Sequence, residues 1–261
     1  MPGLKIAIQL SSLRLPLRKA LITASRLGAK AVEIDGRGEI NPKTATDTAV
    51  RDLKRMLEDL NLTVAAVGFP TRRGYDVAED IDRRVAATKA AQKFARSLGA
   101  PLVINQIGRV PAESSGKAWT LLLESLTDLA NHGQKFGALL AAQTGTEDPS
   151  DLKRLLDALP PHGIAVDLDP GALIINGFSP LEAATVLGPQ IMHVHARDAV
   201  RDLARGRGLE VQLGRGAADM PNLLGVLEQY NYRGYVTTVA RENTADPVEE
   251  AGEAVEYLKS L

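Results

Sequence analysis

IAVDLDPG, residues 164 to 171, is a short apolar run in which two aspartates alternate with Val and Leu and which Pro and Gly close. On a strand this alternation sends Val166 and Leu168 to one face and Asp167 and Asp169 to the other. IMHVHARD, residues 191 to 198, reads the same way: Met192, Val194 and Ala196 turn outward, and His193, His195 and Arg197 inward. Six further runs of this kind recur: KIAIQL (5 to 10), AVEID (31 to 35), TVAAVGF (63 to 69), PLVINQIG (101 to 108), ALLAAQTG (138 to 145) and GYVTTVARE (234 to 242). Helical spacing fills the intervals, as in Leu17, Leu21 and Leu27, or Leu122, Leu126 and Leu129, with charges on the opposite faces. Eight alternations of strand and crossover helix predict a parallel sheet, and eight units close into a (β/α)8 barrel of the α/β class. An open doubly wound sheet would place a glycine-rich phosphate turn after the first strand, but SSLRLP follows KIAIQL.

The 261 residues suit one such barrel, so a single domain over 1–261 is expected. With 44% apolar and 24% charged residues the chain reads as globular, and no linker or low-complexity tract divides it. Lys+Arg 31 against Asp+Glu 32 leaves a net charge of -1, without the field that gathers nucleic acid or anionic membrane. The absence of cysteine excludes disulfides and thiolate chemistry and fits a reducing, cytoplasmic address. KIAIQL is too short for a signal peptide, and no apolar run approaches the roughly 18 residues of a membrane span.

The longest non-periodic connections, 36–45, 70–77, 105–116 and 199–218, all follow strands. In a barrel they surround the C-terminal mouth, where a pocket needs walls. Gln9, Glu33, Asn105 or Gln106, Gln143, Asp167, Asp169, His193, His195 and Arg197 converge on that end, as a hydrogen-bonded core layer or as a site. Three weaker signals stand apart. Gly214-Arg215-Gly216 before Asp219 reads as a phosphate-approaching turn or as a plain turn with a helix cap. Arg72-Arg73 on the loop after the third strand reads as an anion contact or as a solvated pair, and Trp119 as packing.

GAKAVEID, FARSLGAPLVI, LDPG, HVHARD, LGRGAADM and YNYRGYV, in this order and spacing, resemble the sugar isomerase and epimerase group of the xylose isomerase-like TIM barrels over nearly the whole chain. The resemblance implies one divalent cation held by a Glu ending strand five, an Asp on strand six, a His on strand seven and a Glu on strand eight, the glutamates also moving substrate protons. Asp169 and His195 match that pattern, whereas Gln143 and Val239 stand where the glutamates belong, and Ala172 replaces a histidine three residues after the Asp. A neutral amide is a poor ligand for a hard cation, and an aliphatic side chain is none. The expectation is therefore a metal set of Asp169, His195 and Gln143 that holds Mn, Mg, Co or Zn weakly or not at all.

Neither Gln nor Val can serve as a base, so the catalytic candidates become Glu33, His193 and Glu242, with Arg197, Arg241, Asn105 and Gln9 as substrate contacts. The expected function is that of a sugar or polyol isomerase, epimerase or lyase acting on a small polyhydroxylated substrate. The alternative is a metal-free sugar-binding or regulatory relative in which Arg197 or Arg241 takes the cation's place. An abasic-site endonuclease, which related barrels also provide, would need a histidine-rich multi-metal site and a basic face; four histidines and a near-zero charge argue against it. The resemblance leaves a homo-oligomer open, since relatives often pair through barrel helices.

Overall fold

A computed structural model describes residues 3–202 and 207–261. The eight expected runs form β1 (Lys5–Gln9), β2 (Ala31–Asp35), β3 (Thr63–Gly68), β4 (Leu102–Asn105), β5 (Leu139–Gln143), β6 (Ile164–Leu168), β7 (Ile191–Ala196) and, after a short antiparallel pair β8 (Asp198–Val200) and β9 (Leu209–Val211), β10 (Tyr235–Thr238). The order β1-β10-β7-β6-β5-β4-β3-β2 is closed and every neighbouring pair is parallel, which makes a (β/α)8 barrel. The register slips at two points, between Val32 and Glu33 and between Val166 and Asp167. In both cases the extra residue, Ala65 in β3 and Met192 in β7, lies on the neighbouring strand, opposite the step that leads to an acidic residue.

Strand parity separates two kinds of core. Ile8, Val32, Val67, Val103, Leu140, Val166, Val194 and Val236 pack outward with the helices in one large cluster. On the other parity Ala7, Ala31 and Ala65 form one small cluster, and Ala66, Leu102, Ile104, Ala141 and Ala165 another. Alanines, with Leu102 and Ile104, fill the lower barrel, and the polar residues occupy the level above them.

Helices α1 (Leu17–Arg26), α2 (Asp47–Asp59), α3 (Ile81–Ser97), α4 (Gly116–Phe136), α5 (Pro149–Asp157), α6 (Pro170–Ile175), α7 (Pro180–Leu187), α8 (Met220–Gln229) and α9 (Pro247–Lys259) wrap the barrel. Four of them, α5, α6, α7 and α9, start in the same way: an Asp or Ser cap accepts a backbone N–H and a proline follows it. In α6 that cap is Asp169, whose Oδ1 accepts from Ala172 N at 2.9 Å. Trp119 packs in α4 with the Arg154 guanidinium 5.0 Å from its ring, as expected of a packing residue. No helix among the described residues is long and apolar enough to cross a membrane.

Candidate functional site

The inward polar residues form two levels. At the deeper one, Asp167 is fully buried and divides its carboxylate between two imidazoles: Oδ1 accepts from His193 Nδ1 at 2.8 Å and Oδ2 from His195 Nδ1 at 2.7 Å. His195 Nε2 reaches Glu33 Oε2 at 2.7 Å, and His193 Nε2 reaches the Thr237 hydroxyl at 2.7 Å. Glu33 Oε1 accepts from Gln9 Nε2 at 2.9 Å. One chain of hydrogen bonds thus runs Gln9, Glu33, His195, Asp167, His193, Thr237. Burial alone would make His195 a weaker base, but Asp167 and Glu33 on its two nitrogens override it and raise its pKa well above the ordinary 6.5. Burial likewise pushes the Asp167 and Glu33 carboxyls up, and their histidine partners, His195 foremost, bring both below their ordinary values. The arrangement favours an imidazolium between two carboxylates, whose mutual attraction the low-dielectric interior strengthens.

At the mouth, Asp169 is also fully buried. Its Oδ2 accepts from Arg197 Nη1 at 2.7 Å and from Gln143 Nε2 at 3.3 Å, and its backbone N–H donates to Thr144 Oγ1 at 2.9 Å. Arg197 Nε donates to Glu210 Oε1 at 2.8 Å. Asp169 first, then Glu210, hold the guanidinium protonated beyond its ordinary range. A local sequence feature permits this: a Cβ on Gly171 would lie 2.9 Å from Arg197 Cβ and 3.2 Å from its carbonyl carbon, so only glycine lets the first turn of α6 meet the chain at Arg197.

A cavity of about 390 Å³ opens above this level, lined by Gln9, Gln143, His195, Arg197, Glu210 and Glu242 among others, with Val239 in its wall. Its size suits a small ligand. A slightly larger cavity of about 400 Å³ at the opposite end of the barrel is lined mostly by apolar residues such as Leu4, Ile6, Leu224 and Leu258, with Glu228 and Lys259 as its charged groups, against the acidic, guanidinium and imidazole groups that meet at the mouth.

The expected site residues separate accordingly. Gln143, Asp169 and Arg197 meet at the mouth, and His195 lies between the two levels. Glu33 and His193 belong to the deep chain and do not line the cavity, whereas Glu242 and Gln9 do. Arg241 lines it too, but its ion pair is with Glu250 at 2.7 Å and not with the adjacent Glu242. Asn105 serves a neighbouring loop, exchanging hydrogen bonds with Thr71 and donating to Tyr75 Oη at 2.9 Å. The backbone N–H groups of Gly214 and Gly216 are taken by Asp198 Oδ2 at 3.0 and 2.9 Å, so that turn is organised by the protein's own carboxylate. Asp219 holds the cap position of α8 without capping it, its side chain accepting instead from Asn222. Among the partners that the sequence reading did not name are Glu210, inside a connection read as irregular, and Thr237 on the last barrel strand.

Glu33, His193 and His195 bring ligand atoms within 4.8 Å of one another and are the group among the described residues that could hold a metal ion. The four positions that the resemblance assigns to a cation do not fit one. Val239 has no donor, the Gln143 amide points its N–H at Asp169, Asp169 is already neutralised by Arg197, and both His195 nitrogens face carboxylates. Within the deep group, His195 Nε2 and Glu33 Oε2 stand at 2.7 Å, a hydrogen-bond distance; two ligands of one tetrahedral zinc stand about 3.3 Å apart, given metal bonds of roughly 2.0 Å.

The comparisons with known proteins agree with the fold. The chain is 24% identical to an inosose dehydratase of Bacillus anthracis (strain CDC 684 / NRRL 3495) over 253 residues, covering 85% of this chain and 83% of the relative. It is 25% identical to the rhizopine catabolism protein MocC of Rhizobium meliloti over 277 residues, covering 94% and 82%. The crystal structure of a xylose isomerase domain protein from Planctomyces limnophilus superposes with a TM-score of 0.87 at 25% identity, covering 99% of this chain and 97% of that one. The family model described as xylose isomerase-like TIM barrel matches residues 21–261. The chain therefore belongs to the xylose isomerase-like TIM barrel family.

Proposed function

We propose that the protein is a metal-independent enzyme of the isomerase, epimerase or lyase type, acting on a small polyhydroxylated ketone of the sugar or cyclitol class in the mouth cavity. The observation that carries this reading is Arg197: a guanidinium fixed on buried Asp169 at 2.7 Å, where the family pattern calls for a cation. Two of its five N–H groups bind Asp169 and Glu210, and those that remain can donate to a carbonyl oxygen and stabilise the negative charge that develops there. Glu242, exposed on the cavity wall, is the base that takes a proton from the adjacent carbon. His195 forms part of the cavity floor with both its nitrogens held by Asp167 and Glu33, so Glu242, once protonated, is also the group that returns the proton. A substrate of the sugar or cyclitol class is supported by the inosose dehydratase relative.

The test is exchange of substrate C–H protons in heavy water over a panel of keto-sugars and inososes, with protein treated with a chelator and with protein supplied with Mn²⁺, Mg²⁺, Co²⁺ or Zn²⁺. Exchange equal in both arms and lost in Arg197→Met is the expected result. Exchange only with added metal overturns the metal-independent reading. A second reading, a binding protein without chemistry, is favoured by the closed deep chain, in which each acid and base already has a partner. It predicts saturable thermal stabilisation by the same panel with no exchange.

A further inference from the structure

On the β2 to β3 side of the mouth, a separate cavity of about 350 Å³ is lined by Arg37, Arg72, Arg73, Arg83 and Arg84, against Glu79 and Asp80 as the acidic residues in its wall. It shares no lining residue with the Arg197 cavity. On a chain of net charge -1, five guanidinium groups around one hollow is a strong local excess that repels itself unless something negative enters.

Internal bonds neutralise only part of that charge. Arg73 pairs with Glu79, both solvent-exposed. Arg37 Nε donates to the Pro70 carbonyl at 3.0 Å with its guanidinium 3.8 Å over the Phe69 ring, and Arg84 donates to the Glu79 and Val77 carbonyls. Carbonyls and a ring face orient these groups without neutralising them. Arg84 is only 9% exposed, and its Nε is buried with no hydrogen-bond partner, a costly arrangement for a charged group. The N-terminus of α3, which begins at Ile81 beside the cavity, has no side-chain cap.

The surrounding loop is fixed in advance. Asn105 ties down Thr71 through two bonds, of 3.1 and 2.9 Å, and the Thr71 hydroxyl donates to the Arg73 carbonyl at 2.9 Å. Gly74 lies so close to Gly108 that a Cβ there would stand 2.1 Å from the Gly108 Cα. A preorganised, guanidinium-lined hollow matches the fork geometry of a tetrahedral oxyanion.

We infer that this cavity binds a phosphate group, with Arg72 and Arg83 closing on the anion over the pre-set Arg37 and Arg84. The inference is independent of the chemistry assigned to the Arg197 cavity. Its test is isothermal titration of the full chain with inorganic phosphate at constant ionic strength, with the Arg72→Ala, Arg83→Ala double variant and with Arg51→Ala, on exposed α2, as the control. Saturable one-to-one binding that weakens roughly tenfold or more in the double variant and is unchanged in the control is expected, the loss typical of removed charge-assisted hydrogen bonds. Absence of saturable binding, or equal binding by all three proteins, overturns it. A second arm compares a hexose monophosphate with the same unphosphorylated hexose. If the monophosphate binds no tighter than inorganic phosphate, the cavity takes a free phosphate; if it binds tighter and the gain is lost in the double variant, the cavity reads the phosphate of a sugar ester. Unfolding midpoints of all three proteins separate loss of the site from loss of the fold.

Discussion

Asp167, on β6, and Asp169, just beyond the end of that strand, lie two positions apart and are both fully buried, yet they hold different partners. Asp167 serves two imidazoles inside the barrel and is linked through His195 to Glu33, so its level is closed and electrically matched. Asp169 caps α6 with one oxygen and grips Arg197 with the other, and Arg197 is 25% exposed toward the mouth. Two residues along a strand, about 7 Å, separate a level built to keep the fold in register from one that can meet a ligand. If this division is right, variants in the deep level should damage stability first, and those at the mouth should damage ligand handling first.

The largest effect is expected from Asp167→Ala. It strands a protonated His195 beside a single carboxylate and leaves His193 Nδ1 unpaired in the interior. Breaking a buried, charge-assisted pair in this way costs about 3 to 5 kcal/mol, and urea unfolding measures it. A loss below about 1 kcal/mol would mean that the deep level does not hold the barrel together.

The pH dependence comes second. Asp167 and Glu33 sit below their ordinary 3.8 and 4.5, so their contribution is present above those values and lost as pH falls through the lower folded ones. His195 sits above its ordinary 6.5, so its contribution is complete below 6.5 and lost as pH rises through the higher folded value. Unfolding free energy should therefore be greatest between about pH 4.5 and 6.5 and should fall above that by at most roughly 1.4 kcal/mol per pH unit. His195→Gln should remove the alkaline fall, and an equally sloped profile in that variant would assign the slope to another group.

Much of this architecture is legible in the sequence because alternation is a local property. The period of two in IAVDLDPG and IMHVHARD shows both the barrel strands and the inward direction of Asp167, Asp169, His193 and His195. Which inward group meets which is not local: Glu33 and His195 are 162 residues apart, and the register slips beside Glu33 and Asp167 have no sequence signature. Asn105 has the right parity, but it ends its strand, and Thr71 and Tyr75 of the neighbouring loop take its amide. Glu210 could not be placed because its position depends on how the chain folds back between 199 and 218, where no periodicity guides the reading.

At the mouth, Asp169→Ala removes a helix cap, worth about 1 kcal/mol, while Arg197 keeps Glu210 as a partner. A stability loss of about 1 to 2 kcal/mol is expected, together with loss of saturable ligand binding as followed by thermal shift over the sugar panel. A stability loss as large as that of Asp167→Ala, with ligand binding intact, would erase the distinction between the two levels.

The smallest effect separates two guanidinium pairs at the same mouth. Arg241 meets Glu250 at 2.7 Å but is 33% exposed, so water and salt screen the pair and Arg241→Ala should cost less than about 1 kcal/mol. Arg197 differs in its partner: fully buried Asp169 cannot recruit water in its place, which fixes the guanidinium in one position as a bound cation would be fixed. Ligand affinity should then fall far more in Arg197→Met than in Arg241→Ala, measured on one ligand from the panel. Equal losses would mean that the mouth offers only a diffuse positive field, and the reading of Arg197 as the cation's replacement would fail with it.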